Sequence, residues 1–419
     1  MFIKSQGLRS VINMATGNIG ATVVSAVAMI IFSRVLGPTQ FGVFSVLFSL
    51  LLMLSKVGDA GINIAVQRYV AQNKSHLEDV QTYIRVGSTL KLAIAGALAV
   101  IGILAGAWMT KEVLHLSAAY ELPVILIFVL SAGVIFYEYV NTVLQGVHAF
   151  TLSIVSNWIQ SLVKLLVGGV VFITHTTSVL FLTLVYLLSP VLGSIVGFPR
   201  LPFSYFVPQW DWPVAKRLLT VTKWTGIAII AATLADNLDV LLVQNMLNSY
   251  ETGLYSAAVR IASVASLIAW SLGTVLNVRV ASYRDRSHLH AYLKKAVLLA
   301  LASFVGITAL ALVSIPAIKY TVGSEFLAAS TPLNFLFLAT AILTATSPFV
   351  ALFYLFDKPA YFAYSGIIGT ILLLGADLMM IPTFGLLGAA YARILSRLGV
   401  LIFTLVYARR SYREEYAQD

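Results

Sequence analysis

Cysteine is absent from this chain of 419 residues, and charged side chains make up only 11% of it. The first absence excludes disulfides, thiolate metal sites and thiol nucleophiles. The second excludes an ordinary soluble protein of this length, which needs far more polar surface. No Gly-Lys dipeptide occurs, so no GxxxxGK[ST] loop is present to cradle a nucleotide phosphate, and ATP hydrolysis within the chain is not expected. No nucleophile–His–acid set or metal-ligand cluster stands out around the 6 histidines. The sequence therefore reads as a non-enzyme without cofactor or metal.

What the sequence has in abundance is apolar length. Hydrophobic residues make up 59% of it, and twelve stretches reach membrane-spanning length, about 20 residues or more. They fall near 11–33, 41–64, 86–110, 120–146, 150–174, 178–198, 218–243, 253–277, 292–316, 331–356, 360–382 and 385–408. The first ten residues run into the first stretch without a small-residue cleavage site, so it reads as an uncleaved span.

The net charge of +10 invites a nucleic-acid reading, but its placement argues against nucleic acid. Basic residues cluster in alternate connections: Lys4 and Arg9; Arg68, Lys74 and Arg85; Arg200, Lys216, Arg217 and Lys223; Arg279, Arg284, Arg286, Lys294 and Lys295; Lys358; and Arg409, Arg410 and Arg413. Against them stand only Lys111, Lys319 and Arg34. The positive-inside rule then places both termini in the cytoplasm. The longest cytoplasmic connection contains Pro199, Pro202, Pro208 and Pro213 with Trp210 and Trp212, which reads as a stiff linker at the headgroup layer. The expected organisation is an N-terminal six-helix lobe (1–198), a cytoplasmic Pro/Trp-rich linker (199–217) and a C-terminal six-helix lobe (218–419).

The halves resemble each other. Phe41-Gly-Val-Phe-Ser45 and Thr252-Gly-Leu-Tyr-Ser256 are 211 residues apart, as are Arg68 and Arg279. Six spans per half keep both halves in the same orientation, which predicts a pseudo-two-fold axis along the membrane normal.

Seven cations lie inside or at the edge of the spans: Arg34, Lys56, Lys91, Lys164, Arg260, Arg393 and Arg397. A cation at the bilayer centre costs about 2.5–3.5 kcal/mol on the insertion scale. It persists by pairing with an acid, snorkelling to a headgroup or facing water. Such an interior is most simply read as a conduit for an anion. Lys56 and Asp59 are three apart and share a helix face, either as a local ion pair or as part of a site. Lys164 has no acid near it in sequence and is expected to be water-lined. Lys91, near a span's cytoplasmic start, is expected to snorkel. Asp377 matches Arg393 in depth and is expected to pair with it, leaving Arg397 for the cavity. Asp236 and Asp239 match Arg260 in depth, as a salt bridge or a site. Arg34 reads as an interface anchor or a site residue at the outer mouth. Asp59, Glu138, Asp236, Asp239 and Asp377 are candidates to bind a coupling proton or Na⁺.

Arg34-Val-Leu-Gly-Pro-Thr-Gln-Phe-Gly-Val-Phe-Ser45, Gly58-Asp-Ala-Gly61 and Gln67-Arg-Tyr-Val-Ala71 resemble the opening of the bacterial polysaccharide flippases, within the multidrug, oligosaccharidyl-lipid and polysaccharide exporters. Gly253-Leu-Tyr-Ser-Ala-Ala-Val-Arg260 and Phe384-Gly-Leu-Leu-Gly-Ala-Ala390 resemble later blocks, and the likeness covers essentially the whole chain. The O-antigen type, without two extra spans, is the nearest in length. The resemblance implies an all-α polytopic membrane protein of the bacterial inner (cytoplasmic) membrane, with twelve transmembrane helices in two six-helix lobes around a central cavity. It implies movement of an undecaprenyl-diphosphate-linked oligosaccharide, such as an O-antigen repeat unit of lipopolysaccharide biosynthesis, from the cytoplasmic to the periplasmic leaflet by alternating access. Arg260, Lys164, Lys56, Arg397 and Arg34 would be the substrate-binding cations, and Arg260 matches a cavity arginine of related flippases. Membrane lipids, a coupling ion and a polysaccharide polymerase are the implied partners. Two readings stay open beside this one. A multidrug or metabolite exporter of the same superfamily would want an acidic or aromatic cavity. A membrane glycan polymerase or ligase would want a sizeable outer loop, which is lacking.

Overall fold

The structure, a computed structural model, describes residues 6–73, 76–175, 177–280, 286–355 and 360–416. Lys4, Lys74, Arg284 and Lys358 of the basic connections lie outside these residues. In chain order the helices are α1 (Gln6–Asp59), α2 (Ile62–Gln72), α3 (Leu77–Trp108), α4 (Glu121–Gly146), α5 (Phe150–Thr174), α6 (Val179–Ser194), α7 (Trp212–Met246), α8 (Ser249–Val280), α9 (Arg286–Ala309), α10 (Ser314–Thr321), α11 (Ser330–Val350), α12 (Leu352–Leu355), α13 (Ala360–Phe384) and α14 (Leu386–Tyr416). No strand occurs among the described residues. Helices are the expected solution, because each satisfies its own backbone hydrogen bonds within lipid.

Ten helical stretches among the described residues are long and apolar enough to cross a membrane, so the protein is a multi-pass membrane protein. The twelve predicted spans do not map onto them one for one. Predicted spans 11–33 and 41–64 lie largely on α1, whose apolar part, Thr16–Asp59, is 44 residues long. At 1.5 Å per residue that is roughly 66 Å, about twice the hydrocarbon thickness of a bilayer. The helix breaks at Gly37 (φ 67°, ψ 173°), immediately before Pro38. A positive φ suits glycine, and proline steers the residue before it out of the α region. One Gly-Pro step thus divides a helix long enough for two crossings.

The chain divides into two compact units. The first comprises residues 1–36 and 43–233. In it α4 packs against α2, α3 and α6, and α5 packs against α6. A buried cluster of Val66, Val70, Ile84, Tyr139, Val140 and Val143 forms one end of its core, and Leu201, Phe206, Ala215 and Leu218 join it. The stretch read as a linker thus packs apolar side chains into the first unit, and its last residues, from Trp212, are already helical. Trp210 and Trp212 are exposed, as expected of interfacial tryptophans.

The second unit comprises Gly37–Gly42 and Leu234–Asp419. There α11 packs against α8, α9 and α14, and α13 lies along α14. A Cβ added to Gly42 would lie 1.8 Å from the Ser249 carbonyl oxygen, and one added to Gly253 would lie 1.9 Å from that of Pro38. Gly42 and Gly253 are 211 residues apart, and so are Pro38 and Ser249. The repeat seen in sequence returns as a reciprocal contact, in which each glycine admits a carbonyl from the residue four positions before its counterpart. Only glycine permits backbones to approach so closely.

Candidate functional site

In the first unit the spacing-based pair Lys56–Asp59 does not form. Lys56 Nζ on α1 reaches Glu138 Oε1 on α4 at 2.7 Å. Asp59, at the end of α1, pairs with Lys91 of α3 at 3.2 Å and accepts the Asn63 backbone N–H at 3.0 Å. Helix neighbours three apart can meet, but here each takes a partner from another helix, Lys56 in a partly exposed pair and Asp59 in a buried one. The Lys91 expectation is corrected too. Its side chain does not snorkel: it is 5% exposed, paired to Asp59 and 5.4 Å from the Tyr139 ring centroid. Burial of both charges is sustained only because each has a partner.

Lys164 sits on α5, where Ser161 and Gly168 are also buried. Its ammonium donates to Gln160 Oε1 at 3.0 Å and lies 4.8 Å from the Tyr186 ring centroid. No carboxylate among the described residues lies within ion-pairing distance of it. Instead of the expected water lining, the residue is 8% exposed, with an amide and an aromatic face around its charge. Arg34, on α1, is exposed.

In the second unit the expected Arg393–Asp377 pair is replaced. Arg393 of α14 binds Asp239 of α7 at 2.5 Å and donates to the Asp236 backbone carbonyl at 3.0 Å. Asp239 is fully buried and also accepts the Tyr255 hydroxyl at 2.5 Å and the Val240 N–H at 2.9 Å. Arg397, the expected cavity cation, pairs with Asp236 at 2.7 Å. A single α7 segment thus presents Asp236 and Asp239 to both arginines of α14, one helical turn apart. Arg260 is half-buried on α8. Asp377 of α13 is fully buried, and neither of its carboxylate oxygens has a hydrogen-bond partner among the described residues.

Three residues, Tyr255, Gln160 and Asn157, escaped the sequence reading. Tyr255 lies inside the repeat block Thr252-Gly-Leu-Tyr-Ser256, and that block was the available signal. Gln160 and Asn157 share the Lys164 face of α5 by helical spacing, a pattern that a polar residue on any packed helix also produces. Among the described residues no group of three or more His, Cys, Asp or Glu is placed to hold a metal ion.

Long apolar helices in two units, with acidic and basic side chains buried among them, define a polytopic membrane protein. A multidrug resistance MATE family transporter of the MOP superfamily, in an inward-facing conformation, shares the fold with a TM-score of 0.81 at 14% identity, over 94% of this chain and 97% of its own. Lipid II flippase MurJ, in an inward closed conformation, matches with a TM-score of 0.75 at 13% identity, over 95% and 87%. A MOP superfamily transporter from Pyrococcus furiosus, described as having a binding pocket of reverse polarity, matches with a TM-score of 0.62 at 15% identity, over 97% and 95%. At these identities the likeness establishes the fold. No curated protein matches the chain in sequence. The family described as polysaccharide biosynthesis protein matches residues 8–277, more than half of the chain, and this protein belongs to that family.

Proposed function

We propose that this protein is a flippase for a glycan carried on a polyprenyl diphosphate, namely an undecaprenyl-diphosphate-linked oligosaccharide such as an O-antigen repeat unit. On this reading it works in the bacterial inner membrane with both termini cytoplasmic, and moves its cargo to the periplasmic leaflet by alternating access between two six-helix lobes. The polysaccharide family supports a lipid-linked cargo over a drug, and the fold, shared with both a MATE transporter and MurJ, accommodates either.

The observation that carries the reading is Lys164. A buried ammonium with only a neutral amide and an aromatic ring beside it is costly when empty and is stabilised by an anion. A diphosphate supplies that anion through charge-assisted hydrogen bonds. Arg260 would add a planar guanidinium suited to phosphate oxygens. The sugars, costly in hydrocarbon, travel in the protein while the polyprenyl tail stays in lipid. Lys56 and Arg397, held by Glu138 and Asp236, would serve only after those pairs open. Asp377 of α13, fully buried with neither carboxylate oxygen hydrogen-bonded among the described residues, would be the acid to take a coupling proton or Na⁺.

The test is surface glycan display measured together with protein abundance in cells carrying Lys164→Ala or Arg260→Ala. The expected result is loss of display at normal abundance. Normal display in both variants would overturn the reading.

A further inference from the structure

The first unit carries a connected run of neutral polar side chains on α1, α4 and α5 that the charge pairs leave untouched. It starts at Lys164, whose ammonium donates to Gln160 Oε1 at 3.0 Å. Gln160 Nε2 donates to the Tyr137 hydroxyl at 2.7 Å, and Tyr137 donates in turn to Asn157 Oδ1. Asn141 Nδ2 donates to the same Asn157 Oδ1 at 3.0 Å, and Asn157 Nδ2 donates to Asn18 Oδ1 at 2.8 Å. All six residues lie within membrane-spanning stretches. Asn157, Gln160 and Lys164 share one face of α5, and Tyr137 and Asn141 share one face of α4.

Three features separate this run from ordinary glue between helices. First, the four carboxamide residues Asn18, Asn141, Asn157 and Gln160 are only half-buried. An amide inside a span needs a polar partner, so a run that is not sealed between helices has room on its open side for a polar guest. Second, the run is incomplete: Asn141 Oδ1 is a buried acceptor with no hydrogen-bond partner among the described residues. A run serving only adhesion gains nothing from orphaned acceptors. Third, it leads to a cation that no acid balances.

We propose that this run is the glycan-recognition track of the protein, which takes neutral, hydroxyl-rich sugar residues next to the diphosphate held at Lys164; the proposal rests on the flippase reading above. A carboxamide offers coplanar donors and an acceptor, which match the donor–acceptor character of neighbouring sugar hydroxyls. Its hydrogen bonds within the run exchange for bonds to sugar with little net cost, and a sugar hydroxyl would satisfy Asn141 Oδ1. The absence of charge along the track sets preference for uncharged sugars near the carrier, while Lys164 supplies the attraction common to every diphosphate-linked cargo.

The test measures affinity of the purified full-length protein for two probes: undecaprenyl diphosphate, and the same carrier bearing a single N-acetylhexosamine. The proteins are wild type, Asn157→Leu, Asn141→Ala and Lys164→Ala. Wild type is expected to prefer the glycosylated carrier. Asn157→Leu and Asn141→Ala should weaken binding of that carrier by roughly five- to tenfold, the worth of about one neutral hydrogen bond, and leave the bare carrier within about twofold. Lys164→Ala should weaken both probes alike. Equal losses for both probes in the Asn variants would show the run to be structural and overturn the proposal, as would no loss at all. If Asn157→Leu does not fold, Asn141→Ala decides alone, since its carbonyl is already unpartnered. A wild-type protein that binds neither probe removes the flippase reading itself. One that binds both probes equally removes only the track.

Discussion

The two units carry similar charge pairs but leave different groups over. In the first, Lys56–Glu138 and Lys91–Asp59 close on themselves, and Lys164 keeps only neutral neighbours. In the second, Arg393–Asp239 and Arg397–Asp236 close on themselves, and Asp377 accepts no hydrogen bond. The pairs neutralise charges that the membrane would otherwise reject. The leftover groups carry the chemical information. A lone ammonium attracts an anion, and a lone carboxylate takes up a cation or proton. On the proposed reading the first unit holds the cargo's diphosphate and the second senses the coupling ion.

The sharpest way to break that comparison is to convert a pair into a leftover. Lys91→Met strands Asp59 in a buried setting and should cost about 3–5 kcal/mol, whereas Lys91→Met with Asp59→Asn should recover most of the loss. Thermal unfolding of the purified variants measures this; a double variant no better than the single would mean that the pair is not closed. Next in size is Lys164→Ala. It should leave unfolding unchanged or raise its midpoint, and weaken undecaprenyl diphosphate binding roughly 10- to 100-fold, the worth of one hydrogen bond to a charged group. A strongly destabilised Lys164→Ala protein would make Lys164 a structural residue like Lys91 and erase the contrast.

Gly42→Ala probes the reciprocal glycine contact. Its methyl would collide with the Ser249 carbonyl, and the strain should cost about 1–3 kcal/mol of stability, read as a lower unfolding midpoint. Asp377→Asn should change stability little, because an amide replaces an unpaired acid of the same shape. In reconstituted vesicles it should abolish the response of transport to an imposed proton or Na⁺ gradient; an intact response would remove Asp377 from the coupling role. The smallest effect is expected of Arg397→Ala. Asp236 is more than half exposed, so the pair should contribute only about 0–1 kcal/mol.

The membrane assignment and the helical class were legible because both follow from composition. Apolar runs of spanning length and an asymmetric distribution of basic residues need no tertiary information. The matching blocks around Gly42 and Gly253 were legible too, but the contact that each glycine makes with a carbonyl of the other block was not. Partner choice was not legible. Helical spacing brought Lys56 next to Asp59 and depth brought Arg393 next to Asp377, yet both cations took other acids. Lys91 shows the same limit: its position in the span suggested reach to the headgroups, and a neighbouring helix supplied Asp59 instead.

By itself the sequence determined that the chain crosses a membrane repeatedly as helices, that its halves repeat, and that several cations are held among apolar segments. These properties depend on transfer free energies and periodicities summed along the chain. Only the tertiary structure decided which of those charges cancel and which remain. Ion pairing depends on distances between different helices, and rotating one helix by a single residue brings a different side chain to each partner.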